Sequence, residues 1–322
     1  MSRAAPAAHP AARPAARPSA PATGPDHPPP EVVAALRTRG LCDALSRWRP
    51  LSGGLTNRLW LLAENGRKLV CKLYRPDAAT PLFPNDARAE ERVLKHLAGT
   101  GLAPEPVATL ATGSGPCLVY RHVSGASMPA ASVAGARALR RLHRQAPAPG
   151  LRRLACGPAA LQRQGLAMLS MCDDRQAERI RRQMPDGFDL PAVRPVLLHG
   201  DPVPGNIIAA PSGVTFIDWQ CPAIGDACED LAIFLSPAMH LLYGDAGRRA
   251  PPLEALLAAY GDGEVGRRLE RLLPWFHWRM AAYCLWKAER GQPACREGQE
   301  RELAALAALS LRRPPAARSP RP

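Results

Sequence analysis

Apolar and polar positions alternate from Trp48 to Tyr74, the period of half-buried strands. Asn65-Gly66 lies between Leu59–Glu64 and Arg67–Tyr74, the strongest short-range hairpin signal. That turn sets a register in which 64 opposes 67 and 59 opposes 72. Lys72 then shares a face with Val70, Leu61 and Leu59, an apolar floor carrying one ammonium. A short helix is predicted near 31–39, and another from Asp86 to Ala98, ended by Gly99 and Gly101. Two strands, 106–111 and 117–123, flank the turn Gly113-Ser114-Gly115. From 124 onward the pattern is helical, broken by one strand-rich island at 195–218. The plan is α+β and bilobal: a small N-terminal antiparallel sheet plus one helix, then a larger, mainly helical part. The lobes are expected at 31–123 and 124–310.

The island reads VLLHGDPVPGNIIAAPSGVTFIDWQ. Val196–Leu198 is an apolar strand ending in His199-Gly200-Asp201. Ile207–Ala210 and Val214–Asp218 form a hairpin around Pro211-Ser212-Gly213. A three-residue loop centred on Ser212 pairs 210 with 214 and, carried outward, sets Asn206 opposite Asp218. A carboxylate and an amide oxygen so placed suit Mg²⁺, which takes few protein ligands and completes its shell with phosphates and water. Asp201 ends the preceding strand and can face the same point. Taken singly, an Asp after Gly is often no more than a turn residue; the three together in this strand context point to chemistry.

Composition changes the picture in one respect. The chain has 322 residues, 46% apolar, with 36 prolines and a formal charge of +14, which suggests nucleic acid or an anionic surface. The charge is uneven: +2 in residues 1–30, +8 in 134–183 and +4 in 311–322, with the remainder neutral overall. Both ends are rich in Pro and Ala or Arg and are expected to be disordered tails. The segment 134–183 is expected to be a solvated, Arg-rich helical face. It carries no recognised nucleic-acid motif and few aromatics, so specific nucleic-acid binding is not expected. Nine scattered cysteines without a C-x-x-C pair indicate reduced thiols and a cytoplasmic protein. No apolar run approaches the roughly 18 residues of a membrane span. Only four lysines occur against 38 arginines, which draws attention to Lys72 inside Val-Cys-Lys-Leu.

A lysine there is costly unless paired or at an edge. Glu90 on the following helix is the candidate partner and Glu91 the next choice. Ser52-Gly53-Gly54-Leu55-Thr56-Asn57, at the turn before the hairpin, is a possible phosphate cradle.

LSGGLTN, VCKL, a helix bearing Glu90, LLHGDPVPGN and FIDWQ together resemble the aminoglycoside phosphotransferase and choline kinase family, whose fold is protein-kinase-like. Order and spacing match over roughly 50–235. The resemblance implies ATP in the interlobe cleft, with Ser52, Gly53, Gly54, Thr56 and Asn57 around its phosphates. It implies Asp201 as catalytic base, Asn206 and Asp218 on Mg²⁺, and Lys72 paired with Glu90 on the α/β-phosphates. Leu118–Val123 would be the hinge beside adenine, with Val119 and Tyr120 on it. Gly225-Asp226 with Glu229-Asp230-Leu231-Ala232 resembles another family stretch. There Asp226 and Glu229 read as a capping box, Asp230 as a brace for the catalytic loop, and His199 as structural. Pro202 and Pro204 depart from the family pattern and stiffen the loop.

The expected activity is ATP- and Mg²⁺-dependent phosphorylation of a hydroxyl on a small molecule: an amino alcohol, a vitamin alcohol or an aminoglycoside-like sugar. The alternative is a non-catalytic nucleotide-binding regulator of the same fold. Trp275, Trp278, Tyr283 and Trp286 fall on one helical stretch, read first as a core stripe and second as an aromatic cage for a quaternary ammonium.

Overall fold

The computed structural model describes residues 27–51, 56–64, 66–245 and 247–312. Ser52, Gly53, Gly54, Asn65 and most of both expected tails lie outside the described residues.

Helix α1 (Pro30–Thr38) starts on a proline, whose fixed φ suits a first turn, and buries Val32 and Leu36 one turn apart. Strands β1 (Arg47–Pro50), β2 (Arg58–Glu64), β3 (Arg67–Leu73), β4 (Pro106–Thr112) and β5 (Gly115–Arg121) form an antiparallel sheet in the order β1-β2-β3-β5-β4. The expected hairpin register is found, with Glu64 opposite Arg67 and Leu59 opposite Lys72. Alternation sorts the side chains onto two faces. Trp60, Leu62, Leu69, Cys71, Cys117 and Val119 pack with Val32 and Leu36 in an outer cluster. Val70, Leu118 and Tyr120 join the main core on the other side. There they meet α2 (Ala87–His96), whose Ala89, Val93 and Leu94 share that core and whose N-terminus is capped by Asp86.

The helical lobe comprises α3 (Val133–His143), α4 (Pro158–Leu169), α5 (Asp174–Arg181), α6 (Cys228–Leu235), α7 (Pro237–Tyr243), α8 (Leu253–Tyr260), α9 (Gly263–Ala288) and α10 (Cys295–Arg312). The last helix runs into the segment expected as a tail. The 26-residue α9 is buried on nearly every side, between α4, α6 and α10. The six strands of this lobe are β6 (Ala126–Ser127), β7 (Arg152–Arg153), β8 (Val196–Leu198), β9 (Ile207–Ala210), β10 (Gly213–Phe216) and β11 (Ala223–Gly225). They form two three-stranded sheets, β10-β9-β6 and β7-β11-β8. Three of them, β6, β7 and β11, escape sequence reading because two or three residues carry no period.

The β9–β10 hairpin differs from expectation by one residue. Ala210 pairs with Gly213 and Ile207 with Phe216, so the loop is the two-residue Pro211-Ser212. Gly213 belongs to the ladder, where its φ of 134° completes the turn. Nine of the eleven arginines in 134–183 are exposed, as expected of a solvated face. No helix among the described residues is long and apolar enough to cross a membrane.

Candidate active site

Strand β8 buries Leu197 and Leu198 and delivers His199-Gly200-Asp201 to the boundary between sheet and helices. Asp230, fully buried on α6, receives the backbone N–H of His199 and of Gly200, each at 2.8 Å. Its Oδ2 also accepts from His143 Nε2 at 3.1 Å, as the expected brace of this loop does. Gly200 has φ 84°, and a Cβ there would lie 2.0 Å from the Cys221 carbonyl oxygen, so only glycine fits. The His199 ring is structural, as expected: Nδ1 accepts from the Asp201 N–H at 3.2 Å and Nε2 donates to the Ile217 carbonyl at 3.1 Å. That pattern fixes a neutral tautomer, and burial holds its pKa below the ordinary histidine value.

The expected capping box does not form. Asp226 Oδ1 does accept the Cys228 N–H at 3.0 Å, but its Oδ2 takes Arg268 Nε at 2.6 Å. Glu229 turns to Arg279 at 2.8 Å instead of reaching back. Two buried arginines of α9 outbid the local N–H groups, because charge-assisted bonds are the stronger ones.

After Asp201 the chain makes a tight turn, with Val203 N–H donating to the Asp201 carbonyl at 2.9 Å. Asn206 Nδ2 donates to the same carbonyl at 3.0 Å, which leaves its Oδ1 as the unengaged acceptor. Desolvation at the cleft floor pushes the Asp201 carboxyl up to about 8, helped by Asp218 and Asp230 and opposed by Lys287 and Lys72.

The one-residue shift of the hairpin sets Asn206 opposite Ile217, whose N–H donates to the Asn206 carbonyl at 2.9 Å, and not opposite Asp218. A slip of one residue turns a side chain to the other face. Asp218 leaves the strand with φ 63°, the one non-glycine left-handed residue among those described. It reaches Lys72 Nζ at 2.5 Å, across the cleft from β10 to β3. The other partner of Lys72 is the expected Glu90, also at 2.5 Å, which accepts in addition from the Tyr74 hydroxyl. Glu91 faces outward and pairs with Lys95. Burial alone would draw the Lys72 ammonium down; Asp218 and Glu90 together hold it above the ordinary lysine range.

The remaining expected nucleotide contacts separate. Thr56 lines the cleft. Asn57 is 4% exposed, and both amide hydrogens are engaged, by Asn85 Oδ1 and Gln220 Oε1 at 2.8 Å each. It ties the start of β2 to the segment after Asp218, so its side chain offers a phosphate no N–H. Tyr120 lies on the Lys72 side of the sheet. Val119 points to the α1 side, because neighbours on a strand face opposite ways.

Asp201 borders a cavity of about 370 Å³. Phe83, Tyr243, Tyr283, Trp286, Lys287 and Arg290 also line it. Of the tryptophans named from sequence, Trp275 and Trp278 are core residues, 1% and 0% exposed, as the core-stripe reading has it. Trp286 alone of the three borders the cavity, where it stacks on Tyr283 at 6.2 Å. Lys287 is marked in the sequence only as one of four lysines, and nothing in the spacing of Tyr243 or Arg290 separates them from ordinary helix residues. Among the described residues no cluster of three or more His, Cys, Asp or Glu could hold a metal ion.

The fold has counterparts in solved structures. A choline/ethanolamine kinase family protein from Mesorhizobium loti superposes with TM-score 0.59 at 19% identity, over 88% of this chain and 94% of its own. The choline kinase from Cryptosporidium parvum Iowa II gives TM-score 0.61 at 12% identity, over 87% and 94%. The macrolide 2'-phosphotransferase MphH from Brachybacterium faecium gives 0.51 at 22%, over 90% and 100%. At these identities the likeness establishes the fold, which is the expected protein-kinase-like one. No curated protein sequence matches the chain significantly. The phosphotransferase enzyme family (APH) does match, over residues 47–275, which include the sheet, the Lys72–Glu90 pair and the whole Asp201–Asp218 loop. The chain therefore belongs to the phosphotransferase enzyme family.

Proposed function

We propose that this protein transfers the γ-phosphate of ATP to a hydroxyl of a small molecule. The observation that carries the reading is the placement of Asp201. Its carboxyl borders the cavity, its backbone is held through Asn206, and the Lys72–Asp218 pair stands beside it. Phosphoryl transfer asks little covalent chemistry of a protein; it asks for alignment and neutralised charge.

The acceptor hydroxyl lies in the cavity and gives its proton to Asp201. Its oxygen bonds to the γ-phosphorus, the bond from that phosphorus to the β,γ-bridging oxygen breaks, and ADP leaves with that oxygen. A carboxyl held near 8 takes up a proton readily at neutral pH. Lys72, kept charged by Glu90, holds the α/β-phosphates. The donor set fits Mg²⁺: the Asn206 Oδ1 and the Asp218 oxygen not bound to Lys72 are hard ligands, too few to cage the ion without phosphate oxygens. Mg²⁺ bound there would neutralise the phosphate charge that develops in transfer. No disulfide joins any of the nine cysteines, in keeping with a cytoplasmic setting.

The test is ADP release from ATP and Mg²⁺ over a panel of hydroxylated metabolites. Asp201→Asn should lower kcat about 10²- to 10⁴-fold with ATP affinity retained. Wild-type turnover in that variant would overturn the assignment, and ATP binding without transfer to any acceptor would favour the regulator.

A further inference from the structure

The cavity beside Asp201 carries an uneven charge. Arg75 and Asp77 cancel each other in an ion pair at 2.9 Å. Among the described residues Lys287 and Arg290 remain without an acid partner, Arg290 donating to the Trp286 and Met171 carbonyls at 3.1 Å each, and besides Asp77 the only acid in the lining is Asp201. Lys287 is half-buried at the end of α9, and its ammonium has no hydrogen bond or ion pair among the described residues. An unpaired ammonium withdrawn from water is unfavourable in the empty site and favours a ligand that neutralises it. The Trp286 indole N–H, next in sequence, is also buried without an acceptor.

The aromatic lining does not offer a cation cage. Trp286 already carries the Arg290 guanidinium at 4.4 Å and stacks on Tyr283. Tyr283 in turn meets the Phe83 ring edge-on at 5.1 Å. An incoming quaternary ammonium would find these rings engaged and two positive side chains beside them.

We propose that the acceptor is an anionic alcohol, whose carboxylate or phosphate group pairs with Lys287 and Arg290 while its hydroxyl faces Asp201. The proposal rests on the phosphotransfer reading of Asp201. Burial lowers the Lys287 pKa from the ordinary lysine value, and an anion beside it would restore the charged form.

The experiment compares four small primary alcohols as acceptors: D-glycerate, glycerol 3-phosphate, glycerol and choline. ADP release is measured with ATP and Mg²⁺, and calorimetric binding of each alcohol is measured separately without nucleotide. The anionic pair should exceed choline in kcat/KM, and the stronger of the two identifies carboxylate or phosphate. Lys287→Gln should lower the preference for the anion over glycerol about 10- to 100-fold, through KM. Lys287→Glu should shift preference toward choline. Lys287→Gln should melt at or above the wild-type temperature, since it removes an unpaired charge, which separates a binding effect from misfolding. Choline as the best wild-type acceptor, or an unchanged anion preference in Lys287→Gln, overturns the proposal. If no alcohol is phosphorylated the transfer reading loses support, and binding then decides: anion binding lost in Lys287→Gln upholds the charge assignment, and no anion binding overturns it.

Discussion

Replacing Asp230 by asparagine keeps the volume of the side chain and removes one acceptor oxygen. In the native protein Oδ1 receives the Gly200 N–H and Oδ2 receives the His199 N–H, each at 2.8 Å, with His143 Nε2 at 3.1 Å on Oδ2. The amide oxygen can occupy only one of these places. If it takes the Oδ2 place, the Gly200 N–H faces an NH₂ group, donor against donor. A bond from an N–H to a charged acceptor contributes about 1.5–3 kcal/mol, and a buried donor left unmatched costs about 1–3. The bonds that survive lose their charge assistance, while the removal of a buried carboxylate returns part of the loss. The balance is a destabilisation of about 3 kcal/mol, because the lost bond and the unmatched donor are largely the same deficit. Equilibrium urea unfolding measures it as a shift of midpoint at constant slope. Asp189→Asn, exposed and without a partner among the described residues, is the control and should stay within about 0.5 kcal/mol. A loss below about 1 kcal/mol in Asp230→Asn would refute the claim that this carboxylate holds the His199–Asp201 loop.

Gly200→Ala should be among the most damaging single-methyl changes, since φ is 84° and the new Cβ would sit 2.0 Å from a backbone oxygen. A loss of more than about 3 kcal/mol is expected, whereas Gly187→Ala, with nothing within 4 Å, should be neutral; equal melting temperatures for the two variants would contradict this. Asp201→Asn should be more stable than the wild type at pH 8. The folded protein holds the Asp201 proton up to about 8 and the unfolded chain only to about 3.8, so wild-type stability falls as pH rises between those values. Asparagine does not titrate, so the gap in melting temperature should open from pH 4 to pH 8 in favour of the variant. Parallel melting curves across that range would count against the raised pKa.

The N-terminal hairpin could be read in register because its turn residues and its alternation agree on one answer. The β9–β10 hairpin could not, because Gly213 looks like a loop residue and sits in the ladder with φ 134°. Lys72 and Glu90 stood out for a local reason: an apolar strand with one ammonium requires a partner nearby. Asp226 and Glu229 were misassigned for the converse reason. Their true partners, Arg268 and Arg279, lie on α9, tens of residues away, where a rule about neighbouring positions does not reach. The wall of the cavity beside Asp201 was hidden in the same way. Trp278 and Trp286 lie within about 80° of each other around the helix, and packing decides that Trp278 is enclosed while Trp286 borders the cavity.

Gln220 deserves to be considered as a latch. Its side chain accepts from Asn57 at 2.8 Å and its carbonyl from the Asp86 N–H at 3.2 Å, while Lys72 joins the same two walls through Asp218. Any rocking of the sheet away from the helices has to break the two Gln220 bonds and the ion pair. At about 1 kcal/mol each, these three alone would hold the gaping form to about one molecule in a hundred or fewer at rest. On the proposed reaction, release of the spent nucleotide through that form would set the pace of turnover ahead of the chemical step. A burst of phosphorylated product in the first cycle would reveal it, and a linear start would rule it out.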